Sequence, residues 1–274
     1  LNFLTAANSK VMIILNIIIF KDVTERYRIY NINIMAKKIN IANISQSTLP
    51  FQKCSKEEVE HLIRCRILIV CEGEKTEPAY FKSFHMMKNS GGLVFDITND
   101  GGGINTMNVV NKAIELRDIA EKNKRPYDSV WTVFDRDSFE PAKFDNAINK
   151  AVSNSIQCAW SNEAFELWYI YHFDNRTTPM SREDYKDRIT NCVRDALNEK
   201  NFKYKKNDPN MRFILSKCGC DEKKAIRWAE KQSEQFVETS YHEQNPCTTV
   251  YKLVRLLRGE DDTFNEMIRQ KMEA

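Results

Sequence analysis

The sequence predicts an α/β protein with a mostly parallel four-stranded sheet flanked by helices, followed by a mainly helical C-terminal region. Three observations support this prediction. Four short apolar runs rich in Val, Ile and Trp are typical of strands buried on both faces of a parallel sheet. These runs alternate with segments of helical spacing, which places helices on both faces of the sheet. From about residue 181 the pattern is mostly helical, without a clear linker.

Each element follows from its own residues. The four predicted strands are RILIVC (66–71), LVFDIT (93–98), SVWTVF (129–134) and IQCAWS (156–161). The helices predicted after them are 76–87, about 106–124, near 141–153 and from about 163 onward. Thr76 can cap the first of these helices, with Pro78 in its first turn.

Composition places the chain among globular proteins. It has 274 residues, of which 42% are hydrophobic and 29% charged, enough for one or two domains with a sizeable core. The net charge of +3 neither requires nor excludes a nucleic-acid partner. Eight scattered cysteines without a CxxC pair predict free thiols in a reducing cytoplasm, and make a zinc site a poor interpretation.

Four segments are predicted along the chain. Residues 1–34, rich in Ile and Asn, are interpreted as an upstream extension, since Met35 is a plausible start. The alternative is a short hydrophobic anchor or partner-binding helix, although VMIILNIIIF (11–20) is too short to span a bilayer, so no membrane partner is expected. The remaining segments are an N-terminal segment (35–65), a core (66–175) and a helical C-terminal region (176–274).

Acidic residues follow three of the predicted strands. Glu72 and Glu74 follow the first strand, Asp135 and Asp137 follow the third, and Glu166 lies a little past the fourth. Active groups collect beyond the carboxyl ends of parallel strands, and residues two apart on extended backbone point the same way. Gathered carboxylates need positive charge, and a hard divalent cation, Mg²⁺ or Mn²⁺, suits oxygen ligands.

Each signal alone has a simpler interpretation. Asp-x-Asp after a strand is more often a turn than a metal site. The EGEKTE segment could be a charged loop, and Glu166 could lie on a solvated helix face or pair with a basic residue. The two acidic strand ends in this order, with a helical crossover between them, are much rarer and favour a functional site.

Longer motifs then point to a family. The order of ILIVCEGEKTEPAYF, VWTVFDRD and SNEAFELWYIYHF resembles RloB-like proteins, which carry a Toprim domain, and NPCTTVYKLVRLL (245–257) resembles a segment near the end of that family. The resemblance spans roughly residues 66–258. It implies a Toprim-like core of the OLD-like nuclease branch. It also implies metal-dependent hydrolysis of DNA or RNA phosphodiesters in anti-phage defence (abortive infection), often beside an ATPase.

The resemblance also implies roles for single residues. Glu72 would act as general acid/base or metal ligand, Asp135 and Asp137 would hold Mg²⁺ or Mn²⁺, and Glu166 would be a second-metal ligand. Gly73, which has no Cβ, would let the backbone approach a phosphate. Lys75 could contact a phosphate or face solvent. The secondary candidates are Glu74, Glu77, Asn162 and Asn245, of which Asn245 could instead cap a helix. His172 is interpreted as a packed or capping histidine.

A basic segment in the second half of the chain is the candidate nucleic-acid contact. KNFKYKKNDPNMR (200–212) interleaves Lys203, Lys205 and Lys206 with Phe202 and Tyr204. Cations for phosphates and aromatic rings for base stacking are typical of single-stranded nucleic-acid binding. A lysine-rich solvated face is the equal alternative.

Three functions are compatible with these patterns. The preferred one is a Mg²⁺-dependent nuclease, with DNA and RNA both open as targets. The first alternative is a Toprim-like subunit that binds nucleic acid without cutting and is regulated by a partner ATPase. The second is nucleotidyl transfer, as in primases, although zinc-ribbon cysteines are missing. GGGIN (101–105) lacks GK[ST], so ATP hydrolysis by this chain is not expected.

Overall fold

The structure, a computed structural model, describes residues 65–86, 94–98, 106–136 and 140–273. All of these residues fall within one compact unit, Lys56–Ala274. The predicted extension (1–34), the segment 35–64 and the GGGIN segment (101–105) lie outside the described residues, so the interpretations made for them stay predictions.

A single sheet of five strands forms the centre of the described chain. The strands are β1 (Arg66–Cys71), β2 (Val94–Thr98), β3 (Ser129–Asp135), β4 (Gln157–Asn162) and β5 (Cys247–Thr248). Their spatial order is β2-β1-β3-β4-β5. Strands β1 to β4 pair in parallel, which confirms the predicted four-stranded sheet. The two-residue β5 adds an antiparallel edge that the sequence did not predict.

Helices connect the parallel strands and build the C-terminal region. The connecting helices are α1 (Thr76–Met86), α2 (Thr106–Lys122) and α3 (Pro141–Ser153). The later helices are α4 (Glu166–Ile170), α5 (Arg182–Leu197), α6 (Met211–Lys217), α7 (Glu222–Ser233), α8 (Val250–Leu257) and α9 (Asp262–Glu273). Short 3₁₀ turns lie at Glu234–Phe236 and Tyr241–Glu243. None of the helices in the described ranges is long and apolar enough to cross a membrane.

The sheet is buried on both faces, which explains the continuous apolar runs. Alternate residues of β1 enter different hydrophobic clusters, with Ile67 and Ile69 on one face and Leu68 and Val70 on the other. The first cluster packs against α1 and the helices from α4 onward. The second cluster packs against α2 and α3. Because both faces are covered, polar side chains concentrate at the strand ends.

The short helix α4 is apolar around its whole circumference beyond its first residue. Residues 167–171 of LWYIY are each at most 1% exposed. Trp168 Nε1 donates to the Tyr80 hydroxyl at 2.7 Å, which in turn donates to Glu222 Oε1 at 2.9 Å. These two bonds join α4, α1 and α7 across the interior. The C-terminal helices therefore complete the core on the α1 face of the sheet.

Candidate functional site

The candidate site lies where the strand order reverses. The chain passes from β1 to β2 on one side, and β3 is then added on the other side of β1. Ligands of open α/β sheets bind at such a switch point, beyond the carboxyl ends of the strands. Glu72 follows β1 there, and Asp135 is the last residue of the neighbouring β3.

The backbone holds Glu72 and Asp135 together. Cys71 pairs with Val133 in the β1–β3 register, and the Glu72 N–H donates to the Val133 carbonyl at 2.8 Å. The Asp135 N–H in turn donates to Glu72 Oε2 at 3.3 Å. The structure thus brings together two of the predicted catalytic residues. Asp137, the third, lies outside the described residues, and its role stays a prediction.

Asp135 is a buried acid with acidic neighbours. Its exposed fraction is 7%, and Arg182 Nη2 lies 3.4 Å from its Oδ2. Burial raises the pKa of Asp135 well above its usual range, and the charges of Glu77 and Glu166 raise it further. The Arg182 charge and a hydrogen bond from the Phe165 backbone N–H oppose this rise without cancelling it. The charged form of Asp135 is therefore disfavoured in this site.

Glu77, predicted only as a secondary candidate, lies in the same group of acids as Glu72, Asp135 and Glu166. These four residues form the acid cluster. It lies in the first turn of α1 and is 6% exposed. Burial raises its pKa, a hydrogen bond from its own backbone N–H lowers it, and the Glu166 charge raises it again. Gly73 makes room for its carboxylate, since a Cβ on Gly73 would lie 2.1 Å from Glu77 Oε2. The missing Cβ of Gly73 thus accommodates the Glu77 carboxylate, and the phosphate contact that the resemblance implies for Gly73 stays a prediction.

Glu166 enters the cluster from the start of α4. It is 6% exposed, and its Oε1 accepts a hydrogen bond from the Tyr204 hydroxyl at 3.0 Å. Burial first, and then the charge of Glu166, raise the pKa of Tyr204 above its ordinary value. Tyr204 is itself only 3% exposed, so the expectation that its ring stacks on a base is wrong. Phe202 also packs against the core. Both aromatic rings therefore hold the basic segment on the protein.

The basic segment nevertheless lies beside the acid cluster. Lys203, Lys205 and Lys206 are exposed, and the Lys206 charge lowers the pKa of Glu77 against the effect of burial. The Lys206 carbonyl accepts a hydrogen bond from the Thr76 hydroxyl. The helix α1 begins at Thr76 itself, so the prediction that Thr76 caps it is wrong. The Thr76 hydroxyl instead joins the basic segment to α1.

The remaining predicted residues lie elsewhere. Glu74 and Lys75 are exposed on the loop after β1. Asn162 Nδ2 donates to the His242 carbonyl at 3.0 Å, and Ser161, not Asn162, is the residue of β4 that pairs with Asp135. Asn162 therefore anchors the segment before β5 through its side chain.

The expectation that Asn245 caps a helix is wrong. Strand β5 follows it, and α8 begins only at Val250, with Thr249 in the N-cap position. The prediction for His172 agrees with the structure. Its Nδ1 lies 2.9 Å from the Trp168 carbonyl, its ring packs edge-on against Trp168, and burial lowers its pKa.

The oxygen ligands that the acid cluster offers are of the type that a hard divalent cation binds. Glu72, Glu77, Asp135 and Glu166 offer carboxylate oxygens, which Mg²⁺ and Mn²⁺ prefer. Burial first, and then the neighbouring acids, raise the pKa of Asp135 and Glu77 and so disfavour their charged forms, which a bound cation would favour. Within the described residues, no three His, Cys, Asp or Glu side chains are already arranged to hold a metal ion. Binding would therefore require these side chains to turn toward the ion.

Comparison with known families identifies the group to which the chain belongs. The family model described as RloB-like protein matches residues 67–257. The chain belongs to the RloB-like protein family. This result confirms the resemblance inferred from the motifs. The matched range includes all four residues of the acid cluster. No curated protein and no solved structure matches the chain significantly.

Arg182, Tyr204 and Glu77 are the residues of this RloB-like site that sequence reasoning missed or ranked too low. Arg182 and Tyr204 are 47 and 38 residues away from their carboxylate partners, so no local motif connects them. Glu77 carries a weak signal, since it lies four residues after Gly73 in the first turn of a helix. One helical turn brings such a residue back toward the loop that precedes it.

Proposed function

We propose that this RloB-like protein is a Mg²⁺- or Mn²⁺-dependent Toprim-type nuclease that hydrolyses phosphodiester bonds in DNA or RNA. Its role would be anti-phage defence in the cytoplasm, with a possible ATPase partner. One observation carries the proposal. The buried Asp135 lies against Glu72 at the switch point of the sheet, and burial first, then the charges of Glu77 and Glu166, raise its pKa. Such a carboxylate cluster is costly to keep without a cation and suited to phosphoryl chemistry with one.

Glu72, Asp135, Asp137 and Glu166 would hold the cation, with the Glu77 carboxylate as a further donor beside them. When bound, it would polarise the phosphate and lower the pKa of a water molecule. The side chains of the protein would do the rest. Glu72, positioned by the Asp135 N–H, would accept the proton of the attacking water, and as the P–O bond to the leaving 3′ oxygen breaks it would return a proton to that oxygen. The Tyr204 hydroxyl keeps Glu166 oriented. Lys206 supplies positive charge at the side from which a nucleic acid could approach.

The test is a cleavage assay on the full chain. Purified protein is incubated with DNA, tRNA or ribosomal RNA in Mg²⁺, Mn²⁺ or EDTA, beside Glu72→Gln and Asp135→Asn. We expect cutting that EDTA stops and that each substitution lowers by about 100-fold or more. The control Glu115→Gln, an exposed acid paired with Lys112 on α2, should cut like the unaltered protein.

Two results would count against the nuclease. Cutting that survives both substitutions would point to a contaminating enzyme. Binding without cutting, in the presence of metal and of a co-encoded ATPase, would support the non-cutting subunit instead. Loss of phage protection in cells that carry Asp135→Asn would link the activity to defence.

A further inference from the structure

Arg182 extends from the C-terminal region into the acid cluster. It is the first residue of α5, and its Nη2 lies 3.4 Å from Asp135 Oδ2 and 3.3 Å from the Glu163 carbonyl. Its positive charge lowers the pKa of both Asp135 and Glu77 against the effect of burial. Arg182 is therefore a cation contributed by the protein itself at the place where a divalent ion is proposed.

The geometry of this pair differs from that of the structural arginines in the same chain. Arg212 binds Glu222 through two nitrogens at 2.9 Å, and Arg255 binds Glu230 at 2.8 and 2.6 Å. The Arg182 contact with Asp135 is longer, and the Arg182 side chain is 35% exposed. Long and partly hydrated charge pairs are weak, so a divalent cation competes with this contact for Asp135 at low cost.

We propose that Arg182 is a placeholder cation that becomes a substrate contact. In the metal-free protein it lies against Asp135 and offsets part of its charge. When a divalent ion binds Asp135, the two positive charges compete for the same oxygen, and the guanidinium turns to the phosphate of the nucleic acid. Arginine suits this exchange, because its planar donors match carboxylate and phosphate oxygens equally well. The inference rests on the proposed function, and it adds a residue that contacts the substrate.

The first measurement is metal affinity without nucleic acid. Mn²⁺ binding to the full chain is followed by calorimetry for the unaltered protein, Arg182→Gln and Arg182→Lys. We expect Arg182→Gln to bind Mn²⁺ about fivefold more tightly, since its competitor is gone. Arg182→Lys keeps a charge and should stay close to the unaltered protein. The matched control is Arg188→Gln on the same helix, where Arg188 pairs with Asp174 at 3.1 Å and affinity should not change.

The second measurement is cleavage at saturating Mn²⁺. Arg182→Gln should raise the KM for nucleic acid and lower kcat despite its tighter metal binding. A purely structural arginine would weaken metal binding and cleavage together, and that result would overturn the inference, as would unchanged Mn²⁺ affinity in a folded Arg182→Gln.

The outcomes separate the two proposals. If the unaltered protein binds Mn²⁺ and cuts while Arg182→Gln behaves identically, only the inference on Arg182 fails. If neither chain binds Mn²⁺, the proposed function and the inference fail together. Circular dichroism of each variant establishes that it is folded before either conclusion is drawn.

Discussion

Replacing Glu222 by Gln should destabilise the protein strongly, because this acid connects the core to three helices. Its carboxylate accepts hydrogen bonds from Arg212, Arg258 and the Tyr80 hydroxyl. The Glu222 side chain is 12% exposed and that of Arg212 is 9% exposed, so water cannot replace the lost contacts. Glutamine keeps the volume and removes the charge.

The magnitude follows from the pKa of Glu222. Burial alone would raise this pKa, but the hydrogen bonds and charge of Arg212, the charge of His172 and the hydrogen bond from Arg258 lower it from 4.5 to about 2. At about 1.4 kcal/mol per pH unit, this corresponds to about 3 kcal/mol in favour of the charged, folded form. Leaving one partner of a buried ion pair alone costs about 3–5 kcal/mol. We therefore expect Glu222→Gln to lose about 3–4 kcal/mol at pH 7.

The pH dependence has a defined sign. A lowered folded-state pKa means that the stabilisation is complete above pH 4.5 and is lost as the pH falls toward 2. The difference in free energy of unfolding between the unaltered protein and Glu222→Gln should stay constant from pH 7 to 5. Below pH 4.5 it should narrow by at most about 1.4 kcal/mol per pH unit.

Urea unfolding followed by tryptophan fluorescence measures these differences. The matched control is Glu230→Gln on the same helix, α7. It removes the ion pair between Glu230 and Arg255, whose side chains are each about one third exposed. Such a pair contributes about 1 kcal/mol or less. If Glu222→Gln costs no more than Glu230→Gln, the assignment of Glu222 as the anchor of the buried network is refuted.

Three further predictions concern the acid cluster. Asp135→Asn should stabilise the metal-free protein by about 1 kcal/mol at pH 8. The pKa of Asp135 is higher in the folded than in the unfolded protein, so its ionisation destabilises the folded state as the pH rises above the unfolded-state pKa. The gain in stability from Asp135→Asn should therefore vanish toward pH 4, as measured by thermal unfolding. Gly73→Ala should displace the Glu77 carboxylate and weaken Mn²⁺ binding in calorimetry, and unchanged affinity would show that Glu77 is not needed. Tyr204→Phe should cost about 1 kcal/mol in urea unfolding, and no loss would mean that its bond to Glu166 is not stabilising.

Much of the site could be predicted because it follows from local rules. The apolar runs fix where β1 and β3 end, and adjacent parallel strands bring their carboxyl ends to one edge. Glu72 and Asp135 therefore meet as the sequence predicted. The bounds of the four predicted strands agree within one residue, because burial on both faces leaves a continuous apolar pattern that stops where the sheet stops.

The errors of the sequence analysis arose where a residue's partner is distant along the chain. Tyr204 looked like a stacking ring because it lies among lysines, yet its hydroxyl binds Glu166 in the interior. Asn245 looked like a helix cap, yet β5 forms after it because Cys247 and Thr248 pair with β4. Composition describes what a side chain can do, and only the tertiary contacts choose among the possibilities.

The sequence by itself determined the parallel sheet, the helices on its two faces and the acids at the ends of β1 and β3. Periodicity and strand-end position are local properties, so they are written in short stretches of residues. The tertiary structure alone decided that Arg182 reaches Asp135 across 47 residues and that the basic segment reaches α1 across 130. Such contacts depend on how the C-terminal helices pack on the sheet, and packing is a property of the whole fold.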